Sequence, residues 1–303
     1  MAVTRRKLSD PSSIMVSMNR LSTEQRARII GCLVEGNSIR ATVRLTGAAK
    51  NTITKLLLDL GSACSDYQDH ALRGLSCQRI QVDEIWSFVG CKKANVKPEH
   101  NADFGDAWTF VAIDADTKLV PSWFVGQRTA EDAYAILSDL RGRLATRMQL
   151  STDGHQMYLS ATADTFGPDQ DYAMVVKEFR SQPKPEATKY SPSPCKSVTI
   201  KKVSGSPDPA HISTSYVERQ NLTIRMSMRR FTRLTNAFSR KLENLTAAVS
   251  LHFMYYNFGR PHQTLTKRAG GIKTTPAMAA GVADHVWTLT EIAGLLDLNS
   301  DSN

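Results

Sequence analysis

Between residues 21 and 61, apolar positions return every three to four residues, the period of an amphipathic helix. Ala27, Ile29, Ile30, Leu33 and Val34 make a first run. Ser22 and Gln25 form a capping box before it, and Gly36 and Asn37 end it. Ser38 caps a second run through Ile39, Val43 and Leu45. A third runs from about Lys50 to Leu60, with Leu56, Leu57 and Leu60 facing a core, and Gly61 is expected to stop it. The tight turn at Thr46 and Gly47 makes the last two a helix-turn-helix, whose second helix reads a major groove with its first turn. Residues 62–78 read as a linker, with a helix over 62–75 equally compatible with the sequence.

At residue 79 the period becomes extended. RIQVDEIWSFV (79–89), residues 106–113 and residues 119–126 are rich in β-branched and aromatic positions and read as strands. The turn at 114–118 accounts for Asp114 and Asp116. Ala133, Ile136, Leu137, Leu140 and Leu144 predict a helix over 129–147. A strand is expected at 148–152, a helix at 158–166 and a fifth strand at 172–179. Three hairpin-linked strands followed by helix, strand, helix and strand predict an α/β fold: a mixed five-stranded sheet with flanking helices, preceded by a small all-α domain. This catalytic-type domain spans 79–260 and carries a Pro-rich insertion at about 181–209, within which SVTIKKV has the character of a short strand. Residues 211–230 read as one helix. Val217, Ile224, Met228 and Phe231 mark its buried face, while Glu218, Arg225 and Arg229 share another. A long helix begins at about Leu242. A helical extension over 261–303 follows, with Pro276 opening one helix and Thr290 capping the next.

Charge narrows the partners. Among 303 residues, Lys and Arg exceed Asp and Glu by 38 − 29 = 9, which suits a polyanion. Five cysteines with no CxxC pair argue for reduced thiols, a cytoplasmic setting and no zinc ribbon. No apolar run has the length of a membrane span. Residues 1–20 carry Arg5, Arg6 and Lys7 without an apolar core, so a flexible basic tail is expected rather than a secretory signal. On the helix-turn-helix, Arg40, Arg44, Lys50, Asn51, Thr52, Thr54 and Lys55 are the candidate DNA contacts. Arg225, Arg229, Arg230 and Arg233, with Arg240 and Lys241 behind them, form the densest basic run.

Acidic residues supply the candidate chemistry. Asp83 lies inside an early strand and Asp153 ends a later one, so the two meet if those strands are neighbours. Glu218 then arrives on a helix packed against the sheet. Three converging carboxylates repel one another unless divalent cations neutralise them, and oxygen-only ligation suits Mg²⁺ or Mn²⁺. Two such ions about 4 Å apart activate a water or 3′-hydroxyl and stabilise the leaving oxygen in phosphoryl transfer. Glu84, beside Asp83 in a strand, is expected on the opposite face and outside the cluster. Asn221 orients a carboxylate, binds DNA or is a surface amide; His155 either touches a phosphate or caps the next helix.

The motifs VDEIW, STDGH and YVERQN, with RMSMRRFTRLTNAFSRK behind, resemble the DDE transposases of the IS1 insertion-sequence family. The resemblance runs from about residue 21 to 286 and includes YYNFGRPHQTL and TPAMAAGV. It implies an RNase H-like fold, metal-dependent strand cleavage and transfer with two Mg²⁺ or Mn²⁺ ions, and a helix-turn-helix that recognises the element's terminal inverted repeats. It also implies target DNA as a second partner, a homo-oligomer assembled on DNA and a bacterial, nucleoid-associated location. Carried over by motif, the triad is Asp83, Asp153 and Glu218. This chain departs from the family in lacking the cysteine-rich zinc finger that precedes the helix-turn-helix. A catalytically inactive helix-turn-helix regulator is the alternative reading, and a nuclease without strand transfer a third.

Overall fold

The computed structural model describes residues 21–179, 194–232 and 236–298. The tail at 1–20, the start of the Pro-rich insertion (180–193) and Arg233 lie outside the described residues.

The first two helices form where the periodicity put them. α1 (Thr23–Val34) carries the capping box: Gln25 N donates to Ser22 Oγ at 3.2 Å and Ser22 N to Gln25 Oε1 at 2.9 Å. α2 (Ile39–Thr46) is capped by Ser38 and ends at Gly47, whose φ of 74° is the left-handed value a side chain resists. α3 corrects the expectation. It spans Lys50–Ala71, running straight through Gly61 into the segment read as a linker or a helix. Gly61 is a contact point, not a stop: a Cβ there would lie 2.5 Å from that of Ala247 on α7 (Leu242–Met254). At the same crossing Ser250 Oγ donates to Gly61 O at 2.6 Å. The packing of α3 on α7 outweighs the weak helix propensity of glycine, a penalty of only about 1 kcal/mol.

The sheet contains β1 (Arg79–Val89), β2 (Gly105–Asp114), β3 (Ser122–Gly126), β4 (Gln149–Asp153), β5 (Tyr172–Phe179) and β6 (Cys195–Ser204), in the order β3-β2-β1-β4-β5-β6. β1, β2 and β3 are antiparallel; β4 runs parallel to β1, and β5 parallel to β4. This is the expected mixed α/β sheet of five strands with flanking helices, extended by one strand. The SVTIKKV stretch, within β6, pairs antiparallel with β5 at the edge. β3 begins three residues later than expected because Lys118 takes a φ of 62° and Val120 pairs elsewhere: Asn257 receives its N–H at 3.0 Å and returns a hydrogen bond to its carbonyl at 2.9 Å. Asp114 holds the turn as expected, accepting from Thr117 N at 2.9 Å.

α4 (Ala130–Arg143) and α5 (Met157–Phe166) pack together, and Ala133, Ile136, Leu137 and Leu140 are fully buried. The expected helix over 211–230 is shorter. α6 covers Ser215–Ser227, and Arg229 falls in a separate 3-10 turn, off the face it was expected to share with Glu218 and Arg225. The apolar positions are buried as read, Val217 and Ile224 on α6 and Met228 and Phe231 in the segment just past it. α7 is apolar around most of its circumference, as a helix sandwiched between α3 and the sheet must be. α8 (Gln263–Arg268) and α9 (Pro276–Ala279) lead to α10 (Leu289–Leu298), which docks on α1 and α3. There Arg26 grips Asp297 with both terminal nitrogens, at 2.7 and 3.1 Å. The cap of α10 is Thr288 paired with Glu291, not Thr290. Ala27 and Ile30 of α1 and Leu57 and Leu60 of α3 share one apolar cluster with Ile80, Phe110 and Leu150 of the sheet. Among the described residues, no helix is long and apolar enough to cross a membrane.

Candidate active site

The meeting of Asp83 and Asp153 follows from strand register. β1 and β4 pair in parallel with Val82 opposite Thr152, so the next residues, Asp83 and Asp153, leave the sheet on the same side. β4 ends at Asp153. With no further β4 main chain between the faces, the Asp153 carboxylate also reaches Glu84 at the strand end. One oxygen each from Asp83, Glu84 and Asp153 lies within 4.8 Å of the others. The expectation that Glu84 stays outside the cluster is therefore corrected: alternation separates its Cβ from that of Asp83, but the strand terminus removes the barrier.

Glu84 is nevertheless anchored from its own face. Tyr158 Oη on α5 donates to Glu84 Oε2 at 2.8 Å, and Arg128 Nε to Glu84 Oε1 at 2.5 Å. The Arg128 guanidinium lies 4.7 Å from the Trp108 ring centre and 3.7 Å from Asp153 Oδ2. Burial and the Asp153 charge raise the Glu84 carboxyl above its ordinary value, while Arg128 and Tyr158 pull it back.

Asp83 faces α6. Asn221, buried on that helix, donates Nδ2 to Asp83 Oδ2 at 2.8 Å and leaves its own Oδ1 buried without a partner. Burial, then the charges of Glu84, Asp153 and Glu218, push Asp83 up to about 8. α6 is held to the sheet by Gln81, whose Oε1 accepts from Tyr216 N at 2.8 Å and Val217 N at 3.1 Å.

Glu218 stands at the edge of this group rather than inside it. Its Oε1 accepts from Thr214 Oγ1 at 2.5 Å and from Lys177 Nζ. Lys177 is two residues beyond Val175, the β5 partner of Asp153, and so lies on the same sheet face as Asp153. His155 belongs to the turn into α5: its N–H donates to Asp153 Oδ1 at 3.0 Å, and its Nδ1 accepts from Met157 N at 3.3 Å.

The donor set fits a hard divalent cation. It offers only carboxylate oxygens, a buried amide oxygen lacks a partner beside them, and Asp83 is raised by burial and then by the neighbouring carboxylates. Arg128, Lys177 and Tyr158 escaped the sequence reading. Of these, Lys177 had a signal, two-residue alternation on the strand beside β4; Arg128 and Tyr158 had none.

The candidate DNA contacts divide. Arg40, Arg44, Lys50, Asn51, Thr52 and Lys55 are exposed and Thr54 half-buried on the α2–α3 surface; Lys55 is paired with Asp59 at 2.6 Å. Arg225 is half-buried near the end of α6 and Arg229 is exposed. Arg230 is half-buried, with Nε donating to Ser239 Oγ at 2.9 Å.

No family model matches the chain, and no curated protein matches it. Solved structures it is similar to include a piggyBac transposase synaptic complex with hairpin DNA, at a TM-score of 0.42 and 10% identity, over 93% of this chain and 72% of that one. Another is the Mos1 strand transfer complex, at a TM-score of 0.22 and 11% identity, over 83% of this chain and 78% of that one.

Proposed function

We propose that the chain is a DNA transposase of the IS1-like DDE type, a metal-dependent polynucleotidyl transferase that cleaves and rejoins the ends of an insertion sequence. One observation carries the reading: parallel β1 and β4 bring Asp83 and Asp153 together, and Asn221 ties the helix bearing Glu218 to the first of them. Asp83, Asp153 and Glu218 are the proposed catalytic and metal-holding residues, with Glu84 as a further oxygen ligand. Mg²⁺ or Mn²⁺, two per site, would supply Lewis-acid activation of a water or 3′-hydroxyl and stabilise the leaving oxygen. The chain's own groups do the rest. Asn221 orients Asp83, Arg128 offsets the charge of Glu84, and Lys177 holds Glu218 until it turns toward the cluster.

The proposed DNA contacts are those of the α2–α3 surface and the arginines after Glu218. Terminal inverted repeats and target DNA are the partners, bound by an oligomer on DNA in the bacterial cytoplasm. The proposed organisation is a helix-turn-helix at 21–61 ahead of a catalytic region to about residue 260.

A second reading, a helix-turn-helix regulator without catalysis, has one observation in its favour. Lys177 already pairs Glu218, and Arg128 already pairs Glu84. Strand cleavage of a duplex carrying the flanking inverted repeat, with Mg²⁺, decides between the two. The transposase reading expects cleavage by the wild type that is lost in Asp153→Asn. Specific binding without cleavage by either protein would establish the regulator, and cleavage surviving the substitution would displace the active site.

A further inference from the structure

A cleft of about 1050 Å³ lies at the far end of α6 from Glu218, between the first turn of α3 and the segment that follows α6. Arg40 and Lys50 stand on one wall; Arg229, Arg230, Arg240 and Lys241 stand on the other. No Asp or Glu is among the described residues lining it. Lys241 also reaches Glu243 outside the cleft, at 3.0 Å. Six like charges around one space repel each other, and an anion between them relieves that repulsion.

Two further observations point to the same ligand. α3 and α7 both begin at this cleft, and neither Ala49 nor Lys241, at their N-caps, supplies a side-chain cap. Uncapped first turns present free N–H donors and the positive end of the helix dipole. The floor is formed in part by α7, where buried His252 has Nε2 without a partner.

The cleft is rigidly tied to the acids. Gly90, just past β1, donates its N–H to Ser239 O at 2.8 Å, and Arg230 holds the Ser239 hydroxyl. Along α6, the ten residues from Glu218 to Met228 span about 15 Å at roughly 1.5 Å per residue.

We propose that this cleft is a DNA-backbone site. It takes the phosphates of one strand between the first turn of α3 and the Arg229, Arg230, Arg240 and Lys241 wall. Lys50, Asn51 and Thr54 then contact backbone rather than base edges. The helix-turn-helix and the acids act on one DNA, with the near wall of the cleft about 15 Å, or roughly four base pairs, from Glu218. The choice of DNA over another polyanion rests on the function proposed above.

The test is fluorescence anisotropy of the full chain with a labelled duplex of arbitrary sequence, in EDTA, across a series of KCl concentrations. Each lost phosphate contact lowers the slope of log K against log salt by about 0.9. Arg229→Gln with Arg240→Gln is expected to lower it by about two, equally for every sequence. Arg40→Gln with Lys50→Gln, from the opposite wall, is expected to do the same, and exposed Arg141→Gln to change nothing. Wild-type slopes in both double variants would overturn the proposal. So would release of the duplex by inorganic phosphate at matched ionic strength, which would make this a small-anion site. Binding is read without metal, so the two readings fail separately. Cleft-dependent binding without strand cleavage removes only the transposase, and cleavage with unchanged slopes removes only this site.

Discussion

Asn221 on α6 donates its side-chain amide to Asp83 on β1 at 2.8 Å, joining the helix of the third acid to the strand of the first inside the site. Partners of this kind orient metal-holding carboxylates, and losing one costs about 10- to 100-fold in metal affinity or activity. Asn221→Ala is therefore expected to slow strand cleavage by that factor and raise the Mg²⁺ needed for half-maximal rate. Cleavage rates over a Mg²⁺ titration check this; a wild-type curve would remove Asn221 from the site.

Glu84 and Glu218 are expected to separate by phenotype. Glu84 is buried and receives Arg128 and Tyr158, so Glu84→Gln strips charge from a buried pair and is expected to cost about 1–3 kcal/mol of stability. Glu218 is exposed, and Glu218→Gln is expected to stay within about 0.5 kcal/mol while abolishing cleavage. Urea melts and cleavage assays on both variants measure this. The reverse pattern would transfer the catalytic role to Glu84.

The metal-free protein is expected to lose stability as pH rises. Asp83 gives up its proton near 3.8 when unfolded but holds it to about 8 when folded. Between those values the folded state binds the extra proton, so stability falls by up to about 1.4 kcal/mol per pH unit and levels off above pH 8. Melting in EDTA from pH 5 to 9 should show the decline. Mg²⁺ or Asp83→Asn should flatten it; a profile untouched by both would mean Asp83 carries no excess proton.

His252 works in the opposite direction. Burial, with Arg260 nearby, lowers it to about 3 from 6.5. Below pH 6.5 the unfolded chain takes up a proton that the folded one refuses, so stability falls as pH drops through that window. His252→Asn is expected to remove most of this acid sensitivity between pH 6.5 and 5, read as a smaller drop in Tm. An equal drop in wild type and variant would assign the sensitivity to other groups.

Gly61→Ala sets propensity against packing. Alanine in a helix interior is worth about 1 kcal/mol over glycine, but the new methyl would lie 2.5 Å from Ala247 Cβ and 2.6 Å from its Cα. Overpacking of that kind costs about 1–3 kcal/mol, so a net loss is expected. A higher Tm would mean that α3 and α7 separate easily.

Periodicity along the chain determined most elements of this fold. Helical spacing located α1, α2 and the apolar face of α6, and β-branched runs located β1, β4 and β5, because each signal is local and repeats within a few residues. Asp83 and Asp153 were legible as acids at strand positions for the same reason. Only tertiary structure decided what lay between distant segments. Gly61 reads as a stop until α7 packs on it, since a close helix crossing leaves no local trace. Glu84 reads as facing away until β4 ends beside it, opening a path between the two sheet faces. Arg128 and Lys177 acquire their partners across 44 and 41 residues of chain. Such pairings depend on how the sheet closes, and no spacing within one segment encodes them.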